Sequence, residues 1–409
     1  MDALPKLAGH VRPRLIIHGG AGNLQKEIFS PQEREQYRKS LRFILNSAYV
    51  LLSRGADALE VATHAVTLLE DDPLFNASKG AVFTRDGKNE LEASVMVSRG
   101  KRKRGCGLML LKHVKHPILL AREILLRGDD EDGQGGGATT HVQLSGSEAE
   151  ALAERYGLEM VDPAYFWTEK RWKEHIKGLE RAATGSGSAH WDAREYVPQG
   201  TTGAVVMDQR GTLCVATSTG GMTNKLPGRI GDSPTFGAGF WAEEWQTSVP
   251  PSLQDAEVQK APDVLPPAIA QLLDDCLPGF AFSAYQPLPD NGKASPTVTR
   301  AAAVGGTGSG DTFLRLCACH AVAAIARFSS HPARTLQSAL TQMAGPGGEL
   351  QVAAGNRWGR TGEGEAGMVG IEVGPTGEGV IAADFNCGGM FRAWIDDAGD
   401  ERVMIFRDE

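Results

Sequence analysis

The stretch Gly200-Thr201-Thr202-Gly203-Ala204-Val205-Val206 places a hydroxyl side chain between two glycines, at the entrance to an apolar strand. A threonine in mid-chain is a poor nucleophile because no strong base adjoins its hydroxyl. A cut before Thr201 would free an α-amine with a pKa of about 7.7–8.0, which can act as the general base. The stretch therefore suggests a precursor that cleaves itself, although alone it is more typical of an ordinary β-hairpin.

Two neighbouring features favour the interpretation of Thr201 as a nucleophile over an ordinary hairpin residue. A turn at Gln209-Arg210-Gly211 would place Thr219 opposite Thr201, with Cβ atoms about 4.5–5.5 Å apart. We therefore expect Thr219 to hydrogen-bond at the nucleophile. Upstream, residues 173–200 lose apolar periodicity and include Thr184-Gly-Ser-Gly-Ser188, which predicts a flexible linker where a cut is structurally easy.

Two further segments could complete a catalytic site. Arg229 and Asp232 fit a clamp in which a guanidinium binds an α-carboxylate and a carboxylate binds an α-amine. The alternative is a weak surface ion pair. Thr307 and Gly308, between a strand and a helix, could face a developing oxyanion or form a simple turn with a helix cap.

The composition narrows the class of protein. A net charge of −8 argues against nucleic acid or a membrane surface as a partner. The basic run at residues 99–104 fits a solvated turn, with a nuclear localisation signal as the alternative. Six cysteines without a Cys-x-x-Cys motif, and no signal peptide or membrane-spanning run, predict a cytoplasmic protein.

The order of predicted elements indicates the fold. A strand, a block of helices and hairpins is followed by a hairpin, a helix and a last hairpin, which favours layered sheets between helices over a doubly wound parallel sheet. The proline-rich residues 250–299 are expected to be a surface insertion.

Ordered motifs along most of the chain resemble the plant-type asparaginases, also called isoaspartyl (β-aspartyl) peptidases, which are N-terminal-nucleophile hydrolases. The motifs are Ile16-Ile-His-Gly-Gly-Ala-Gly22, Leu74-Phe-Asn-Ala77, Gly200-Thr-Thr-Gly-Ala204, Ser218-Thr-Gly-Gly-Met-Thr-Asn-Lys-Leu-Pro-Gly-Arg229, Gly231-Asp-Ser-Pro234 and Phe385-Asn386 with Gly389-Met-Phe-Arg-Ala-Trp394. The resemblance implies an α+β fold, a four-layer αββα sandwich. It also implies cleavage between Gly200 and Thr201 into residues 1–200 and 201–409, which form one domain, and a homodimer of cleaved units.

The resemblance also implies roles for individual residues. They are Thr201 as nucleophile, Thr219 as its hydrogen-bonding partner, Arg229 and Asp232 as substrate clamp, Thr307 and Gly308 as oxyanion donors, and Asn76 as a positioning residue at the scissile bond. A structural sodium ion is implied as well. Its ligands would be the main-chain carbonyls of Leu69, Glu70, Asp72, Phe75, Ala77 and Lys79, which suit a hard cation.

The implied reaction is hydrolysis of asparagine or of β-aspartyl dipeptides to release aspartate, without a redox cofactor or a catalytic metal. Two residues depart from the family pattern: Thr202 replaces the usual valine and Ser78 a glycine. Three alternatives stay open: a glycosylasparaginase-like amidase, an aspartate-specific threonine endopeptidase, and an uncleaved binding protein that is not an enzyme.

Overall fold

The computed structural model describes residues 11–129, 138, 140–197, 200–248, 297–329 and 335–409. Within them, the strands are β1 (Arg14–Gly22), β2 (Leu91–Val97), β3 (Gly105–Leu111), β4 (Gln143–Ser145), β5 (Thr202–Met207), β6 (Leu213–Thr219), β7 (Phe240–Ser248), β8 (Thr297–Gly308), β9 (Ala366–Val373), β10 (Gly379–Phe385), β11 (Gly389–Ile395) and β12 (Glu401–Met404).

The α-helices of the same residues are α1 (Pro31–Ser53), α2 (Ala58–Asp71), α3 (Pro117–Leu126), α4 (Gly146–Arg155), α5 (Glu169–Ala183), α6 (Gly310–Leu316), α7 (Ala318–Phe328), α8 (Leu336–Ala344) and α9 (Glu349–Ala354). The chain is therefore a mixed α/β protein. None of these helices combines the length and the apolar composition needed to cross a membrane.

The first two helices begin where local sequence signals indicate. Ser30 caps α1 by accepting a hydrogen bond from the backbone N–H of Glu33. The backbone N–H of Ser30 in turn donates to the Glu33 carboxylate, which completes a capping box. Asp57 caps α2 by accepting a hydrogen bond from the backbone N–H of Glu60. Capped in this way, the two helices pack side by side against the larger sheet.

The strands form two sheets. One has eight strands in the order β12-β11-β1-β5-β6-β2-β3-β4, and the other has four in the order β10-β9-β8-β7. The predicted hairpin is confirmed as β5 and β6, with Thr202 opposite Ser218 and Met207 opposite Leu213. Strands that precede Gly200 in sequence and strands that follow it are neighbours in the larger sheet. For example, β1 precedes Gly200 and lies between β11 and β5, which both follow it.

Alternating residues of the strands enter different cores. In β1, Leu15 and Ile17 pack with the helices α1 to α4, whereas Ile16 packs with residues of the smaller sheet. In β8, Ala302 and Val304 pack against helices of the C-terminal part, whereas neighbouring residues meet the larger sheet. This period of two is what a strand buried on both faces requires.

The prediction of a flexible linker over residues 173–200 is wrong for its first part, because α5 extends to Ala183. The helix begins at Thr168, which caps it, and its buried residues are Arg171, His175 and Gly178. Their spacing of four and three is helical. They are not apolar, however, so a search for apolar periodicity does not detect this helix.

The chain divides into two compact units. One consists of the described residues of Met1–Trp245 and Arg300–Glu409, and the other of the described residues of Gln246–Thr299. Most of the insertion expected at residues 250–299 lies outside the described residues.

Candidate active site

The threonine expected to be the nucleophile lies just before β5 and is 3% exposed. Its backbone N–H donates to Thr307 Oγ1 over 2.9 Å. Its own Oγ1 lies 2.6 Å from the Oγ of Ser233. The ends of strands from the two sheets thus meet at Thr201, because Thr307 is in β8 and Thr201 leads into β5.

Steric contacts explain the two glycines around Thr201. A Cβ on Gly200 would lie 2.6 Å from the backbone nitrogen of Ala21 and 2.7 Å from Cα of Gly20. A Cβ on Gly203 would lie 2.8 Å from the carbonyl oxygen of Ala216 and closer still to the ring of His18. Both positions therefore require glycine because neighbouring backbone leaves no room for a side chain.

Asn76 contacts the peptide bond that the resemblance marks for cleavage. Its Nδ2 donates to the carbonyl oxygen of Gly200 over 3.3 Å and to that of Gly221 over 2.7 Å. Its Oδ1 accepts from the backbone N–H of Val82 over 3.0 Å, which fixes the amide orientation. Asn76 can therefore polarise the Gly200 carbonyl while holding two loops together.

The expected hydrogen bond between Thr219 and Thr201 is replaced by another contact. The β5–β6 register does bring the two residues to the same end of neighbouring strands. Thr219 Oγ1, however, accepts from the backbone N–H of Gly221 over 3.0 Å. The hydroxyl that contacts Thr201 belongs to Ser233, which lies beside Asp232 in the Gly231–Pro234 motif but was not singled out from the sequence.

Arg229 and Asp232 both line the cleft that contains Thr201. Arg229, however, forms its ion pair with a different acid, Asp311. Arg229 Nη2 lies 3.1 Å from Asp311 Oδ2, and the side chain of Asp311 is 55% exposed. Asp232 is 4% exposed, and its Oδ2 has no hydrogen-bond partner among the described residues. The prediction of a shared location holds, whereas a direct Arg229–Asp232 ion pair is not formed.

Burial controls the ionisation of Asp232. Desolvation raises the pKa of Asp232 to about 7, although the nearby Arg229 lowers it, and Glu92 and Asp311 add to the increase. Burial therefore favours the neutral, protonated form of this carboxyl group. A cationic ligand would favour its ionised form.

The cleft brings together five residues selected from the sequence: Thr201, Thr219, Arg229, Asp232 and Gly308. It is lined by Glu92, Thr201, Thr219, Gly221, Met222, Arg229, Asp232, Ser233, Gly308 and Gly310. Thr307 reaches the site through its bond to Thr201, and it also accepts from the N–H of Ala21 over 3.2 Å. In the uncleaved chain, Thr307 Oγ1 therefore orients backbone N–H groups.

Contacts also hold the segment that leads to Gly200. Trp191 Nε1 donates to Glu365 Oε1 over 2.8 Å, and Asn23 Nδ2 donates to the carbonyl oxygen of Asp192 over 2.8 Å. Burial raises the pKa of Glu365 to about 7, while the Trp191 bond opposes the rise. These bonds connect the segment to parts of the chain on both sides of it in sequence.

The loop expected to bind sodium follows α2. That helix ends at Asp71, so the carbonyls of Leu69 and Glu70 are among the four without intrahelical partners. The guanidinium of buried Arg171 donates to the carbonyl oxygens of Leu74 and Gly80 within the same loop. These two carbonyls are not among the six expected sodium ligands.

Comparison with known proteins identifies the class. The asparaginase family model matches residues 11–250. The chain belongs to the asparaginase family, and it is therefore a hydrolase. The matched region includes Thr201, Arg229 and Asp232 and confirms the resemblance seen in the sequence motifs.

Individual relatives make the comparison more specific. An isoaspartyl peptidase of Escherichia coli is 39% identical over 235 residues, which cover 58% of this chain and 69% of the relative. An isoaspartyl peptidase of Salmonella typhimurium is 41% identical over 237 residues, covering 58% and 71%. A plant-type L-asparaginase of Pyrobaculum calidifontis is 36% identical over 231 residues, covering 56% and 70%.

The raised pKa of Asp232 predicts a pH-dependent stability. Its folded-state pKa of about 7 exceeds the ordinary aspartate pKa of about 3.9, so between these values the folded chain holds a proton that the unfolded chain loses. This stabilisation is complete below pH about 4 and is lost as the pH rises through about 7. Asp232→Asn removes it, so the melting temperature of the variant relative to wild type should rise by about 2–4 °C across that window.

The measurement is thermal unfolding of both proteins at several pH values from 4 to 8. A difference in melting temperature between the two proteins that stays constant from pH 4 to 8 would contradict the raised pKa of Asp232.

Proposed function

We propose that this protein is an autoproteolytically activated amidohydrolase that releases L-aspartate from L-asparagine and from β-aspartyl dipeptides. The observation that carries the proposal is the position of Thr201. Its hydroxyl contacts Ser233, its backbone nitrogen contacts Thr307, and the preceding carbonyl contacts Asn76. All three partners are buried. The names of the relatives support the two substrate classes.

Maturation would use the groups around the Gly200–Thr201 bond. Thr201 Oγ attacks the Gly200 carbonyl carbon, and the acyl group moves from the Thr201 nitrogen to its oxygen. Water then hydrolyses the ester and releases Gly200 as a carboxylate and Thr201 with a free α-amine. Asn76, which donates to the Gly200 carbonyl oxygen, would stabilise negative charge on that oxygen.

The mature reaction would proceed through an acyl-enzyme. The Thr201 amine takes the proton of Oγ1, and Oγ1 attacks the side-chain carbonyl of the substrate. Thr307 and Gly308 stabilise the oxyanion of the tetrahedral intermediate. Ammonia or an amino acid leaves with the proton, and water then releases aspartate from Thr201.

The clamp would orient the substrate. Arg229 would bind the α-carboxylate in place of Asp311, whose side chain is half exposed and can turn to solvent. Asp232, with a buried oxygen that lacks a partner, would bind the α-ammonium group. These contacts direct the side-chain carbonyl of the substrate towards Thr201.

The arrangement of the sheets supports the four-layer αββα sandwich of N-terminal-nucleophile hydrolases. One core cluster joins helices to the larger sheet, a second joins residues of both sheets, and a third joins helices to the smaller sheet. Cleavage would give fragments 1–200 and 201–409 as halves of one domain.

We further propose a homodimer of cleaved units, which light scattering can check. A cytoplasmic location is supported by the five free described cysteines and can be checked by cell fractionation.

We also propose a structural sodium ion in the loop after α2. The carbonyls at the end of α2 carry partial negative charge, and the buried Glu70 Oε2 has no hydrogen-bond partner among the described residues. The carbonyls of Leu69, Glu70, Asp72, Phe75, Ala77 and Lys79 would hold the ion. We expect a higher melting temperature in sodium chloride than in choline chloride at equal ionic strength. Equal melting temperatures in the two salts would contradict the proposed sodium site.

Replacing Thr201 tests maturation. Thr201→Ala should remain a single 43.6 kDa chain without hydrolytic activity, because it lacks the attacking oxygen. Thr202→Val is the matched control, since the Thr202 hydroxyl donates to the Ser218 carbonyl and not towards the scissile bond. This control should still split. A denaturing gel with N-terminal sequencing distinguishes the outcomes, and splitting of Thr201→Ala between residues 200 and 201 would disprove the assignment.

Replacing Arg229 tests the clamp separately from maturation. Arg229→Ala should still cleave itself but lose about a hundredfold in kcat/KM on asparagine and β-aspartyl dipeptides, because the α-carboxylate loses its partner. Arg210→Ala is the control, since Arg210 pairs with Asp208 at the far hairpin turn. Rates of ammonia and amino-acid release provide the comparison. An Arg229→Ala enzyme with wild-type kcat/KM would exclude Arg229 from the substrate site.

A further inference from the structure

Glu92 is a fully buried acidic residue in the cleft, and it has no role in the mechanism proposed above. It is 0% exposed and lines the cleft beside Thr201 and Asp232. Its Oε1 accepts from the backbone N–H of Gly231 over 2.8 Å, which fixes the carboxylate. Its Oε2 has no hydrogen-bond partner among the described residues. One oxygen of a rigidly held carboxylate is therefore left free.

The sheet brings Glu92 to the nucleophile. Strand β2 pairs with β6, and Glu92 lies directly opposite Thr219 at the end of β6 where Thr201 also lies. Directly opposed residues place their side chains on the same face of a sheet. Its neighbours Leu91 and Ala93 face the other way, and Leu91 packs in the core formed with the helices. Glu92 therefore faces the cleft as a consequence of strand register.

Two buried carboxylate oxygens in the cleft lack donors. They are Glu92 Oε2 and Asp232 Oδ2. Neither neighbouring cation donates a hydrogen bond to these oxygens, because Arg229 pairs with Asp311 and Lys225 Nζ donates to the carbonyl oxygen of Glu90. Arg229 acts on Asp232 only through its charge. Burying a carboxylate oxygen without a hydrogen-bond donor is costly, so a ligand with several N–H groups would be stabilised there. An ammonium group carries three such donors.

We propose that Glu92 is a specificity-determining residue whose free oxygen binds the α-ammonium group of the substrate together with Asp232. The inference rests on the proposed function and deepens it. Two acidic oxygens around one ammonium make a free α-amine a requirement of the site. Substrates whose α-amine is missing should be poor even when their amide and α-carboxylate are intact.

The test compares L-asparagine with succinamic acid, which is the same molecule without the α-amino group. Ammonia release gives kcat/KM for both compounds with matured wild type, Glu92→Gln and Glu90→Gln. Glu90 is the matched control, because it is a buried acid two residues away whose Oε2 accepts from the backbone N–H of Gly228. Glu90 does not belong to the residues that line the cleft.

In wild type and in Glu90→Gln, asparagine should be strongly preferred. In Glu92→Gln, kcat/KM for asparagine should fall at least about tenfold, mainly through KM, because a charge-assisted hydrogen bond is lost. The value for succinamic acid should not fall, so the preference shrinks. An equal loss on both compounds, or an unchanged preference, would overturn the role of Glu92.

A second variant covers the case in which Glu92→Gln does not fold or mature. Glu92→Asp keeps the charge but withdraws it by one methylene, so it should also reduce the preference for asparagine. An unchanged preference in this variant overturns the inference. A wild-type protein that hydrolyses neither asparagine nor a β-aspartyl dipeptide would instead contradict the proposed function, so the two failures are distinguishable.

Discussion

The pairing of β5 with β1 and β6 is the constraint on which the site depends. It fixes Thr201 at the end of an inner strand, next to Thr219 in one direction and next to the glycine-rich end of β1 in the other. Because β2 follows β6 in the same sheet, its register also brings Glu92 to that end. A shift of one residue in any of these pairs would turn the selected side chains to the opposite face. The arrangement of the proposed catalytic residues is therefore a result of strand register.

The site combines close backbone packing with polar groups that lack partners. Gly200 and Gly203 admit no side chain, so the backbone around Thr201 has little freedom to move. In the same cleft, buried oxygens of Glu92 and Asp232 have no donor among the described residues. Rigid surroundings prevent such groups from relaxing towards solvent, which keeps them available to a ligand at some expense in stability. Desolvation of Asp232, which raises its pKa to about 7, has the same origin.

The sequence predicted features that depend on local residue patterns, but it did not predict contacts between residues far apart in the chain. The β5–β6 hairpin followed from its turn and alternation, and its register was correct. The full extent of helix α5 was missed because its buried face carries Arg171 and His175, whose polar atoms are satisfied by partners that no apolar pattern reveals. The contact of Ser233 with Thr201, and the pairing of Arg229 with Asp311, join segments about thirty and eighty residues apart. Only the folded chain brings those atoms together.

The burial of Thr201 has a consequence for the lifetime of the protein. A cut before this residue would create a new amino terminus, and exposed termini are where trimming enzymes usually begin. Thr201 is 3% exposed in the intact chain, and it leads into a strand that has hydrogen-bonded neighbours on both sides. An aminopeptidase would have to pull β5 out of the middle of an eight-stranded sheet to reach it. The same strand order that positions Thr201, the proposed nucleophile, would thus shield it from removal.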